Sequence, residues 1–133
     1  MKLIPLTIAA LLLAAPAFAL EPINQEKKIN DTLRSGFIAR QIADNCPTME
    51  PRKLRALGEL NKLRDYALSK GYSADELRAF VESKDEKARG KREAAAWLEA
   101  KGAVPGKPEV YCTVGEEEIA RNSLIGYLLR STK

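Results

Sequence analysis

The 133-residue sequence predicts an all-α fold, a small bundle of four to five helices closed by one disulfide. Apolar residues recur at steps of three to five over most of the chain, and helix start and stop signals stand between the runs. No period-two strand of useful length interrupts them, and no internal repeat or low-complexity tract is visible. The only two cysteines, Cys46 and Cys112, fall where one predicted helix ends and another begins, so a bond between them would staple the first helix to the last.

Residues 1–19 read as an export signal. Lys2 supplies the positive start, Leu3 to Ala15 is apolar apart from Pro5 and Thr7, and Ala17-Phe18-Ala19 has the small-x-small form of a cleavage site. The apolar stretch is shorter than the roughly 20 residues a spanning helix needs, and no cysteine follows the cut to take a lipid. The mature chain is expected to start at Leu20 in the periplasm, with residues 20–133 as a single helical domain; an uncleaved anchor is the main alternative.

The first helix is predicted from about Asn24 to Asn45, with Ile29, Leu33, Phe37, Ile38, Ile42 and Cys46 along one stripe, and Pro47 ends it. Thr48 is the expected cap of a second helix over Pro51 to Lys70, stopped by Gly71. Its apolar residues Leu54, Leu57, Leu60, Leu63, Tyr66 and Ala67 step mostly by three and drift around the helix, which predicts a central element touching more than one neighbour. Ser73-Ala74-Asp75-Glu76 is a capping box opening a third helix that buries Leu77, Phe80 and Val81. The charged run Ser83 to Arg92, with Gly90 inside it, reads as a break or a solvated continuation before a fourth helix over Ala94 to Lys101. Ala95, Ala96, Trp97 and Leu98 are its expected contact surface, and Gly102 its end. Val104 to Pro108 is turn-rich, and Thr113 with Glu116 forms a second capping box for the last helix, which carries Ile119, Leu124, Ile125, Leu128 and Leu129.

Composition excludes several chemistries. Histidine is absent, which removes Ser-His-Asp and Cys-His catalysis and imidazole-bound zinc. The 22 Lys and Arg residues against 18 Asp and Glu give a net charge of +4, but the signs alternate along the chain. A nucleic-acid binder concentrates its positive charge, so no nucleic acid is expected as a partner. Cys46 and Cys112 lack the Cys-x-x-Cys spacing of a redox pair, and in an exported chain a structural disulfide is expected. Closing the loop between them stabilises the fold by roughly 4 kcal/mol on the chain-entropy estimate.

The remaining candidates have structural explanations. Glu116, Glu117 and Glu118 suit a helix N-terminus, where the dipole favours carboxylates, and no calcium loop accompanies them. Lys84, Lys87, Arg89, Lys91 and Arg92 are interleaved with acids, as on a solvated face, with weak contact to an anionic membrane as the alternative. Trp97 is expected in the core, with an interface anchor as its competitor. Gly36, Gly58 and Gly126 inside predicted helices suggest close helix approach. No catalytic, cofactor-binding or metal-ligating residue is assigned; Cys46 and Cys112 are the only site residues.

Asn45-Cys46-Pro47, Lys70-Gly71-Tyr72-Ser73 and Tyr111-Cys112-Thr113-Val114-Gly115, followed by Glu118-Ile119-Ala120, Ser123, Ile125-Gly126 and Leu128-Leu129-Arg130, resemble a family of small exported bacterial proteins classed only as a domain of unknown function. The resemblance covers nearly all of the mature chain and brings no activity, cofactor or catalytic residue with it. Genes of such proteins often lie among those of the respiratory NADH dehydrogenase, so the resemblance implies an accessory link to the exported face of that membrane complex.

The expected function is that of a non-enzymatic periplasmic module supporting another envelope protein or a membrane complex. A groove beside Trp97 or the exposed part of the last helix is the expected contact surface. A peripheral membrane or envelope binder is the alternative, and a hydrolase using two carboxylates alone is a more distant one.

Overall fold

The structure, a computed structural model, describes residues 20–133; the export-signal reading of residues 1–19 lies outside them. Among the described residues it is all-α apart from one short ribbon, with six helices where four to five were expected. The sixth is a single turn.

Helix α1 (Lys27–Asn45) is the central element, because both hydrophobic cores draw on it. A 3-10 turn, Ile23–Gln25, leads into it, and Glu26 caps it by accepting the Ile29 amide at 2.6 Å. Strand β1 (Met49–Pro51) follows and pairs antiparallel with β2 (Leu129–Ser131), placing Met49 opposite Ser131 and Pro51 opposite Leu129.

That ribbon corrects the expected start of the second helix. Thr48 does not cap it, and Pro51 lies in a strand, where a residue without an amide proton fits an edge position. Helix α2 (Lys53–Lys70) instead starts after Arg52, whose amide donates to the Leu128 carbonyl at 2.8 Å and whose Nε donates to that of Leu129 at 3.2 Å. Gly71 stops it as expected, in the left-handed region with φ 107°.

Helix α3 (Ala74–Glu82) opens on the expected cap, with the Ser73 hydroxyl accepting the Glu76 amide at 3.0 Å. Helix α4 (Lys84–Ala100) begins ten residues before Ala94 and runs unbroken through Gly90. Ser83 caps it, accepting the Glu86 amide at 3.3 Å. The glycine is required by packing: a Cβ there would come within 2.5 Å of the Phe37 ring.

The largest correction concerns helix α5 (Pro108–Ala120), which starts at Pro108 rather than after Thr113. Proline at the first helical position has its φ preset and no amide to leave unpaired. Cys112 is therefore inside the helix, and Glu116 to Glu118 lie in its C-terminal half, where the dipole does not favour them. The Thr113 hydroxyl donates to the Glu109 carbonyl within the helix. The chain then breaks at Arg121–Ser123 and folds back as α6 (Leu124–Tyr127), with Ser123 accepting the Gly126 amide at 3.0 Å. Gly126 allows this: a Cβ would collide with the backbone of Glu118. The expected close approach is thus real at Gly126, whereas Gly36 and Gly58 have nothing within 4 Å.

The two cores divide the molecule. The larger gathers Ile38, Ile42, Leu98, Tyr111, Val114, Ile125 and Leu129 from α1, α4, α5, α6 and the ribbon. The smaller gathers Ile29, Leu63, Ala67, Tyr72, Leu77 and Phe80 from α1, α2, α3 and the turn between the last two.

Candidate interaction surface

Cys46 and Cys112 are joined, with Sγ–Sγ 2.03 Å and Cα–Cα 5.2 Å. The bond ties the C-terminal end of α1 to the middle of α5, inside the larger core.

The opposite side of the molecule is open. Helix α2 buries only Leu63 and Ala67; Leu54 is 86% exposed, Leu57 56% and Leu60 46%. The expectation of a central α2 is therefore overturned. Its broad apolar face exceeds what its neighbours cover: Leu63 and Ala67 are buried in the smaller core, and the start of the helix reaches the Tyr127–Leu129 segment through Arg55 and Ala56. Val81, expected in the core, is 37% exposed on the facing side of α3.

Of these side chains, Leu60 and Val81 border a trough along α2. One cavity of about 360 Å³ lies between α1, α2 and α3, lined by Leu33, Leu60, Leu63, Leu77 and Val81 with Arg64 and Arg78 at its edge. A second of about 360 Å³ continues between α1 and α2 and is lined by Leu33, Phe37, Ala56, Leu60, Val81 and Leu128. Arg40, Arg52, Lys53 and Lys87 rim it. Gly36 belongs to this wall, and its missing side chain leaves the trough wide. No carboxylate lines either cavity.

The rim cations are not equivalent. Arg40 pairs with Asp44 at 3.2 Å, Arg78 with Asp75 at 3.8 Å, and Arg52 is bound to the Leu129 carbonyl. Lys53, Arg64 and Lys87 make no ion pair among the described residues.

The α2–α3 end is fastened by a buried polar contact that pattern reading did not find. Glu26 is 7% exposed and accepts a 2.6 Å hydrogen bond from the Tyr66 hydroxyl besides its bond to the Ile29 amide. Burial alone would raise its pKa, but the Tyr66 and Ile29 bonds and the charge of Lys70 outweigh it and hold the carboxyl below its ordinary 4.5. Tyr66 moves the other way, pushed up first by its bond to Glu26 and then by burial. Lys28 sits over the Tyr66 ring at 4.3 Å.

The other sequence candidates are spread over the molecule. Trp97 is half-buried against the larger core, with the Lys101 ammonium 4.6 Å from its ring centroid, and it lines neither cavity of the trough. Ala94 and Leu98 make the contact surface of α4, while Ala95 and Ala96 are exposed. Within the charged run, Arg89 turns inward to Glu86 at 2.7 Å, Glu93 at 3.0 Å and Asn30 at 2.9 Å, and Lys87 reaches the trough. Glu116 accepts from the Ser131 hydroxyl. Glu118 is 2% exposed, with Oε1 3.5 Å from Arg121 and Oε2 without a hydrogen-bond partner among the described residues. Among the described residues, no helix is long and apolar enough to cross a membrane, and no three acidic or cysteine side chains group as metal ligands.

Fold and surface together define a disulfide-closed, all-α domain with one open apolar face. A family described as a family of unknown function (DUF5333) matches residues 21–130, and the chain belongs to it. No curated protein and no solved structure matches the chain.

Proposed function

We propose that this protein is a non-enzymatic accessory module of the bacterial periplasm that docks on another envelope protein or membrane complex. The observation that carries it is the exposed apolar face of α2, where Leu54, Leu57 and Leu60 stay outside both cores and Leu60 lines a trough. Contiguous exposed apolar surface of this kind marks interaction sites. The disulfide fits an oxidising compartment, and the leader-like residues 1–19 fit export. The exported face of the respiratory NADH dehydrogenase, implied by the resemblance above, is the first partner to test.

Osmotic-shock release of a chain whose N-terminus is Leu20, together with co-migration of the chain with one membrane complex on native gels, is the expected result. A chain found only in the cytoplasm, or one migrating alone from gently solubilised membranes, would contradict the proposal.

A further inference from the structure

We infer that the trough along α2 receives an amphipathic helix of another protein, carrying one apolar stripe with carboxylates on its flanks. The inference rests on the accessory-module proposal and adds the surface and the chemistry of the partner segment.

Shape argues for a helix. The two cavities share Leu33, Leu60 and Val81, so they form one elongated channel walled by helices rather than a closed pocket. The exposed Leu60 of α2 and Val81 of α3 line both cavities together with Leu33 of α1, so an incoming helix would lay its apolar stripe on side chains from three helices. A bilayer surface would meet a convex apolar ridge better than a concave channel.

Charge selects among helices. Lys53, Arg64 and Lys87 stand around the channel without an ion pair among the described residues; no carboxylate lines either cavity, and Glu59, which lines the adjoining pocket that shares Leu60, is already paired with Lys62 at 3.1 Å. A second copy of this chain would bring the same cations against themselves, which costs free energy at close range. An acidic flank gains the same interactions with opposite sign. The apolar stripe supplies affinity, and the cations set orientation and partner choice.

The test uses the exported, disulfide-bonded protein and two fluorescent synthetic peptides of about 18 residues, long enough to be helical when bound. Both carry the same leucine stripe; one has glutamates on its flanks and the other lysines. The Glu-flanked peptide is expected to bind at least about tenfold more tightly than the Lys-flanked one, a gap that narrows as salt rises. Leu60→Glu, and separately Val81→Glu, should weaken it by about tenfold or more without changing the melting curve, since both positions are exposed and line both cavities. The triple change Lys53→Glu, Arg64→Glu, Lys87→Glu should reverse the preference between the peptides. Equal binding of the two peptides, no binding of either, or association only with phosphatidylglycerol vesicles would overturn the inference, as would a self-associated chain whose dimer is lost in Leu60→Glu. Failure here with a membrane complex still bound on native gels removes the trough as the docking surface and leaves the accessory proposal standing.

Discussion

The disulfide end and the α2–α3 limb are built from the same kinds of residue but place them differently. At the disulfide end Leu98, Leu128 and Leu129 are buried among residues of four helices and a strand. On the limb, α2 carries five leucines and buries one. Hydropathy does not separate the two groups; the number of elements around them does. At the disulfide end α4, α5, α6 and the ribbon surround the second half of α1, and a covalent bond fixes two of them together. On the limb α2 and α3 pack against the first half of α1, with the start of α4 beside them through Arg89, joined by six buried residues and the Glu26–Tyr66 bond. A helix whose apolar face is wider than its neighbours cover leaves leucines outside.

Removing the disulfide is the severest way to break this contrast. The variant Cys46→Ser, Cys112→Ser is expected to lose roughly 4 kcal/mol, about 20 °C in melting temperature for a domain of this size. Calorimetry of the oxidised protein and the variant measures it, and equal melting temperatures would contradict the part assigned to the bond.

Truncating one leucine on each side tests the contrast itself. Leu98→Ala removes a fully buried side chain and is expected to cost about 3 kcal/mol, while Leu54→Ala at 86% exposure should change stability by less than about 0.5 kcal/mol. Urea titrations of both variants decide, and similar losses would mean that α2 is packed in solution.

Tyr66→Phe removes the polar fastening of the limb at a cost of about 1 kcal/mol. The accompanying pH dependence has a definite sign. Glu26 has a folded pKa below its ordinary 4.5, so its contribution is present above that value and is lost as the pH falls through the folded pKa. Acid titration of stability should be shallower in Tyr66→Phe than in the parent, and identical slopes would show that the bond does not hold the carboxylate.

The smallest expected change is a gain. Gly36 lies inside α1 with open space where its Cβ would be, so Gly36→Ala should stabilise by about 0.5–1 kcal/mol through helix propensity. Thermal melts check it, and a loss would show that the wall of the trough is closed in solution.

Much of the fold was legible where a signal is local. Gly71, Gly102 and the Ser73 box mark ends that depend on a few neighbouring residues, and the structure keeps all three. The start of α5 was not, because two N-terminal signals compete: Pro108 and the Thr113–Glu116 pair. Packing chooses Pro108, since only a helix begun there places Tyr111 and Val114 in the larger core. The ribbon was out of reach because three-residue strands are too short to show a period. The buried Glu26 depends on Tyr66, distant in sequence, and the trough depends on a neighbour that α2 lacks. The leucine row itself was visible, and what the sequence could not supply was the count of helices available to cover it.

We assign the docking of a partner protein to the α2 face. The most direct test is a photo-crosslinking residue placed in living cells at Leu57 and, on the exposed face of α4, at Ala95. Strong crosslinking of one and the same envelope protein from position 57, with little from position 95, is the predicted result. Equal yields from the two positions, crosslinking from position 95 alone, or none from either would contradict the account.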